Sequence, residues 1–291
     1  MRLAVSGMMP GHLDEVDERL ARRIADMGFT GVGVHLAGDP QALSAQTCQR
    51  TRDILAQQGI RIVQFWGAYE CIISPDETIR QSGVRTAQAL IQAAAQLGAQ
   101  MVGIRPTSLN PRGAWWPHPD NDAPETEARL VRSLRDITSA CDGHGVPIAL
   151  ECHVTTTLKS VEAVRRVVEA TRSPWVKVNM DPVNFISDIW AAHHTTDLVN
   201  HLFDVLGPFI AAAHIKDVYV EDRHVVHISE TIPGDGIFDF ATLFRRFEAL
   251  LPDGYGFIEH LPESQIPQAH AFVTRTLNQL NIPILSGHDK S

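Results

Sequence analysis

The chain has 291 residues, 44% hydrophobic and 20% charged, the composition of a water-soluble globular protein with ample material for a core rather than of a disordered or fibrous one. Its formal net charge of -9 speaks against a nucleic-acid partner, because duplex binding draws on clustered Lys and Arg to displace counterions. No run of ~18 apolar residues occurs, and the N-terminal apolar run is too short for a signal-peptide core, so neither membrane insertion nor secretion is expected.

The first element is the β-rich run RLAVSG (2 to 7). Leu13 to Met27 follows, with Leu13, Val16, Leu20 and Ile24 spaced by three or four residues and so on one helical face. The alternation then repeats. Strands are predicted at GVGVHL (31 to 36), RIVQFW (61 to 66), MVGIRP (101 to 106), PIALECH (147 to 153), VKVNMD (176 to 181), IAAAHIKD (210 to 217) and YGFIEHL (255 to 261). Helical periodicity covers 40 to 58, 77 to 97, 125 to 144, 160 to 171, 196 to 206, 239 to 251 and 266 to 280. Gly28, Gly59 and Gly98 close three of the helices with the left-handed turn that glycine allows.

Eight strand-helix repeats predict a single (β/α)8 TIM barrel over residues 1 to 285, with a frayed tail at 286 to 291; a doubly wound open sheet is the alternative. Cys48, Cys71, Cys141 and Cys152 form no CxxC pair, so neither a disulfide framework nor a thiolate zinc site is indicated and a cytoplasmic location is expected. Two connections are longer than a barrel needs, TSLNPRGAWWPHPDNDAPE and VYVEDRHVVHISETIPGDGIFD. In this architecture loops at the C-terminal ends of strands build the active site, so both are expected to cover a ligand.

Glu151, Asp181, His214 and Glu259 each follow an apolar stretch at the end of the last four predicted strands, and are separated by 30, 33 and 45 residues. In a closed barrel, inward-pointing residues at equal height converge on the axis. Three carboxylates gathered there would repel unless a proton or a cation compensates them. One divalent metal ion is the economical solution; oxygen-rich ligation with one His favours Mn²⁺, with Mg²⁺, Co²⁺ or Zn²⁺ as alternatives.

With the motifs ALECH, NMDPVNF, AHIKD, PGDGIFDF and FIEHL, the chain resembles the xylose-isomerase-like TIM barrels, a superfamily of sugar-phosphate isomerases and epimerases, ketose 3-epimerases, hydroxypyruvate isomerases and inosose dehydratases that also includes endonuclease IV. The resemblance implies that Glu151, Asp181, His214 and Glu259 are the metal ligands, and that Glu151 and Glu259 form an acid/base pair. Asn184 stands where ketose 3-epimerases carry a substrate-gripping His, and Val220 stands near the position of their Arg. The motifs therefore look closer to the inosose-dehydratase branch and its unassigned, epimerase-like relatives. Most of the extra His ligands of endonuclease IV have no counterpart.

The resemblance implies a metal-dependent isomerase or epimerase of a sugar or keto-sugar, working by proton abstraction and a metal-bound enediolate. The alternative is a lyase on the same site, an inosose-type dehydratase or an enzyme cleaving a 3-keto-glycoside or C-glycoside. A sugar-binding barrel or subunit without activity is the third reading. Lys216, two residues beyond His214, is expected either to stabilise the enediolate or to pair with a barrel acid. By the same period of two, His153 shares the face of Glu151, as a base or a substrate-orienting group, while Cys152 turns away. Arg105, Trp115, Trp116, His118 and Asn184 complete the expected substrate contacts. The expected partner is a small carbohydrate, with neither nucleic acid nor membrane, and a homo-oligomer or hetero-complex is left open.

Overall fold

The computed structural model describes residues 1 to 287. Eight parallel strands close into a barrel: β1 (Arg2–Ser6), β2 (Gly31–His35), β3 (Arg61–Trp66), β4 (Met101–Ile104), β5 (Ile148–Glu151), β6 (Val176–Met180), β7 (Ile210–Ile215) and, after a separate hairpin of β8 (Asp217–Val220) and β9 (Ile228–Thr231), β10 (Tyr255–Ile258). Neighbours pair in sequence order, and β10 closes on β1. The TIM barrel expected from the sequence is the fold observed.

The helices pack outside because their apolar stripes match the outward faces of the strands. In α3 (Glu77–Leu97), Asp76 accepts hydrogen bonds from the amides of Thr78 and Ile79, and Gly98 ends the helix at φ 75°. Local capping breaks some of the longer predicted segments. Leu13–Glu15 is a separate 3₁₀ turn, and Asp17 caps the following α1 (Glu18–Asp26) by accepting from the Leu20 amide. Pro40–Ala42 is another, and Ser44 caps α2 (Ala45–Ala56). The segment 125 to 144 divides into α4 (Pro124–Thr138) and α5 (Cys141–His144).

Inside the barrel, Ala4, Val63, Met101, Ala149, Ala212, Tyr255 and Phe257 form a small apolar layer below the mouth. A bulge in β3 adds a polar layer: Ile62 pairs with Val32 and Gln64 with Gly33, which leaves Val63 unpaired between them. The extra residue lets Val63 join the apolar layer while the adjacent Gln64 also reaches inward, where strict alternation would have sent it out.

The predicted strand 210 to 217 is shorter than expected. β7 stops at Ile215, and the chain leaves the barrel through Lys216 into β8, which pairs antiparallel with β9. Asp217 drives this departure: its carboxylate accepts from the amides of Val218, Gly234, Gly236 and Phe238 at 2.8, 2.9, 3.0 and 3.0 Å. A Cβ on Gly236 would stand 2.3 Å from Asp217 Oδ1, so the second glycine of PGDG is there for space. The hairpin is thereby pinned over the barrel mouth. Of the expected tail, the Ser286 carbonyl accepts from Arg2 Nη1 at 2.5 Å, and residues 288 to 291 lie outside the described residues. Among the described residues no helix is long and apolar enough to cross a membrane.

Candidate active site

Glu151 ends β5, Asp181 follows β6, His214 lies in β7 and Glu259 follows β10. The register is staggered: Glu151 pairs with Asn179, so Asp181 lies two residues further along, and His214 pairs with Phe257, two residues before Glu259. Strand tilt in a barrel converts such a stagger into a common level. One ligand atom from each of the four residues falls within 4.8 Å of the others, and all four residues are buried. His214 Nδ1 lies 2.6 Å from Glu259 Oε1 and 3.5 Å from both Glu151 Oε1 and Asp181 Oδ2.

Lys216 reaches the same point. Its Nζ is 2.6 Å from Asp181 Oδ2 and 3.0 Å from Glu259 Oε1, with Asn184 Oδ1 at 3.4 Å. Asn184 Nδ2 in turn points to Glu151 Oε1 at 3.5 Å. Of the two roles expected for Lys216, pairing with a barrel acid is therefore present in the structure.

The charges hold one another. Burial alone would raise the Glu259 and Asp181 carboxyls, but the facing His214 and Lys216 outweigh it and keep both below the usual carboxylate range. Burial would likewise discharge His214 and Lys216; the facing carboxylates reverse this and raise both. Asp181 Oδ1 and Oδ2, His214 Nδ1 and Glu259 Oε1 still lack a well-directed hydrogen bond, although each is buried. Buried polar atoms are rarely left so, and one ligand atom from each of the four residues within 4.8 Å of the others fits a divalent cation, although Lys216 already pairs with two of the carboxylates. Three carboxylates and one imidazole are a donor set for a hard or borderline ion.

Above the cluster opens a cavity of about 410 Å³, lined by Glu151, Glu259 and Lys216 on one side and by His35, Trp66 and Arg105 on the other. His35 stacks on Trp66 with ring centroids 5.8 Å apart and 6° between planes, and its Nε2 is 3.1 Å from Ser6 Oγ. Gly103 makes room for the indole: a Cβ there would stand 2.2 Å from the Trp66 ring. Arg105 is held by its backbone, which donates to and accepts from the Tyr69 hydroxyl at 2.6 and 2.9 Å, and by its Nη2, which donates to the Gly67 carbonyl at 2.9 Å.

His153 lines the cavity with Trp115 packed against it, ring centroids 5.5 Å apart. Its Nδ1 accepts the Thr155 amide at 3.1 Å, so in the neutral ring Nε2 carries the proton. Burial, and then the Lys216 charge, lower its pKa and favour that neutral form. Asn184 also faces the cavity. Trp116 and His118, expected as substrate contacts, do not line it. Trp116 is 43% exposed under the Arg112 guanidinium, which sits 3.5 Å from its ring centre, and His118 Nδ1 accepts the Asp120 amide at the start of a 3₁₀ turn. The long loop has turned these two side chains away while keeping Trp115.

Four lining residues escaped the sequence reading. His35 and Trp66 end β2 and β3; His35 carries the same strand-end signal as the four-residue cluster, whereas Trp66 continues an apolar run. His260, next to Glu259, is held at φ 59° with Nδ1 3.2 Å from Glu230 Oε2 and 3.4 Å from Lys216 Nζ. Glu230 arrives on β9 and carried no signal, because the hairpin itself was not foreseen.

A family model described as xylose isomerase-like TIM barrel matches residues 21–276. No curated protein matches the sequence. Among solved structures, an L-ribulose 3-epimerase superposes with a TM-score of 0.75 at 15% identity, over 96% of this chain and 95% of its own. A xylose isomerase-like TIM barrel protein from Mycobacterium smegmatis in complex with magnesium gives 0.72 at 17% identity, over 96% of each chain. The 3-keto-D-glucoside 4-epimerase from E. coli gives 0.68 at 18% identity, over 97% of this chain and 99% of its own. At these identities the likeness is one of fold.

Proposed function

The chain belongs to the xylose isomerase-like TIM barrel family, and from that footing we propose that it is a divalent-metal-dependent isomerase or epimerase of a sugar or keto-sugar. The observation that carries the reading is the convergence of Glu151, Asp181, His214 and Glu259 on one buried point, with atoms left over for a cation. Sugar epimerases among the structural neighbours support the substrate class.

A divalent ion held by these four residues, Mn²⁺ in the first instance, supplies a Lewis acid that offsets negative charge developing on a substrate oxygen. Glu151 and Glu259 are the proton-transferring pair. They stand on strands separated by β6 and β7, and so face a substrate from different sides. The Lys216 charge, 3.0 Å from Glu259 Oε1, favours the ionised Glu259 that a base needs before it removes the proton beside a carbonyl. Return of that proton to the opposite face epimerises; return to the neighbouring carbon isomerises. Lys216 contributes a fixed positive charge beside the oxygen that becomes an enediolate. His153, whose Nδ1 is already occupied, serves as an Nε2–H donor to a substrate oxygen and not as a base. Arg105, Asn184 and Trp115 orient the sugar, and Trp66 with His35 forms a flat wall for it.

One observation favours a second reading, elimination by a lyase. His153 lines the cavity with Nδ1 engaged by the Thr155 amide, so its Nε2–H is a donor separate from the carboxylate pair that could protonate a departing hydroxyl or aglycone oxygen. Incubation with keto-sugars and 3-keto-glycosides distinguishes the two. Isomerisation or epimerisation gives a product of the same formula as the substrate in ordinary water, and one that carries solvent deuterium when the reaction is run in deuterated water. An unsaturated product or a freed aglycone establishes the lyase instead, and no conversion of any keto-sugar removes the proposed substrate class.

A further inference from the structure

Beneath the metal cluster the barrel contains a buried polar chain where an apolar layer would be ordinary. The Trp66 indole nitrogen is 3.2 Å from Gln64 Oε1, Gln64 Nε2 is 2.8 Å from Asn179 Oδ1, and Asn179 Nδ2 is 2.7 Å from His214 Nε2. Trp66, Gln64, Asn179 and His214 are all at most 3% exposed. Indole can only donate, and this fixes the sense of the whole chain. The Gln64 atom facing Trp66 must be its oxygen, so its amide nitrogen faces Asn179. Asn179 therefore accepts with its oxygen and turns its own nitrogen to His214.

Resting on the metal reading of the site, we propose that Gln64 and Asn179 are positioning residues that set the metal affinity through His214. The pair clamps the imidazole from behind and holds Nδ1 toward Glu151, Asp181 and Glu259. It also selects a tautomer. The facing carboxylates favour a proton on Nδ1, and the Asn179 donor at Nε2 opposes a second one there, whereas coordination through Nδ1 requires the ring proton to sit on Nε2 and to find an acceptor. Gln64 Oε1 is 3.3 Å from Nε2 and has a second lone pair, so it takes the Nε2 proton when Asn179 turns aside. Gln64 is thus the acceptor that supports coordination, and Asn179 is the clamp that restrains it. A carboxylate at position 179 would accept from both Gln64 and Nε2, the arrangement that strengthens a metal-bound imidazole.

The test is Mn²⁺ titration of the metal-stripped full chain by calorimetry, with the metal-free thermal melt recorded for every variant. Gln64→Leu is expected to bind Mn²⁺ roughly 10- to 100-fold more weakly than the parent. Asn179→Asp is expected to bind more tightly than the parent, although both substitutions disturb the same buried chain. A purely structural role would lower the melting temperature of both and move Mn²⁺ affinity in neither, or weaken both alike; either result overturns the proposal. Should Gln64→Leu not fold, Gln64→Glu, which keeps an acceptor for Nε2, must bind at least as tightly as the parent; weaker binding also overturns it. A parent chain that binds no Mn²⁺ removes the metal reading itself, and the proposal with it. Parent binding that Gln64→Leu and Asn179→Asp leave unchanged removes only the proposal.

Discussion

The two halves of the barrel mouth differ in chemistry. β1, β2 and β3 end on Ser6, His35 and Trp66, and Arg105 follows β4; together they form a wall of stacked rings and hydrogen-bonding groups with one fixed positive charge. β5, β6, β7 and β10 deliver Glu151, Asp181, His214 and Glu259, which are buried and packed against one another within 4.8 Å. One half offers stacking surface and hydrogen-bonding groups, the other holds charge where water cannot screen it. A TIM barrel permits this division because each strand end can be varied without disturbing the next.

Breaking the charged half should have the largest effect. Glu259→Gln or Glu151→Gln is expected to lower substrate proton exchange with deuterated water by about 10²- to 10⁴-fold, measured at equal metal content so that proton transfer is separated from metal retention. Exchange at the parent rate would remove that glutamate from the pair. Breaking the recognition half should act on binding. Trp66→Ala removes the stacking wall and is expected to raise KM by roughly 10- to 100-fold with a smaller change in kcat, which steady-state kinetics would resolve. If kcat falls instead while KM holds, the wall belongs to the chemistry.

A smaller effect is expected from the hairpin between β7 and β10. Asp217→Ala strands four amide donors and should cost about 2 to 4 kcal/mol, read as a lower midpoint in urea unfolding. Activity should fall as well, because Glu230 and His260 lose their placement. The smallest effect belongs outside the cavity. Trp116→Ala should leave kcat/KM within a factor of about two, since a substitution that touches neither substrate nor its supports changes little transition-state binding. A tenfold loss would show that the loop closes over the substrate with Trp116 inside.

The same contrast governs how much was legible in the sequence. Glu151, Asp181, His214 and Glu259 could be read because each is an ionisable residue at the end of an apolar run, and four in succession on neighbouring strands are a stronger signal than any one alone. The eight strands were legible from the same runs, and their helices from spacing. Gln64 was hidden because the bulge at Val63 breaks the period of two on which inward and outward are counted. The β8–β9 hairpin was hidden because its cause is tertiary: Asp217 gathers amides from 17 to 21 residues away, and no local pattern reports that. That Trp116 and His118 lie outside the cavity lining was hidden for the related reason that composition marks a loop as functional without saying which of its side chains turn inward.

The central claim is that the four strand-end residues of the charged half hold one divalent ion. Elemental analysis of the full chain after reconstitution with Mn²⁺ and removal of excess tests it directly, beside a folded Asp181→Ala/His214→Ala double variant. The account predicts one equivalent of metal in the parent chain and a substoichiometric trace in the double variant. A parent chain without metal, or a double variant that retains as much as the parent, would contradict it.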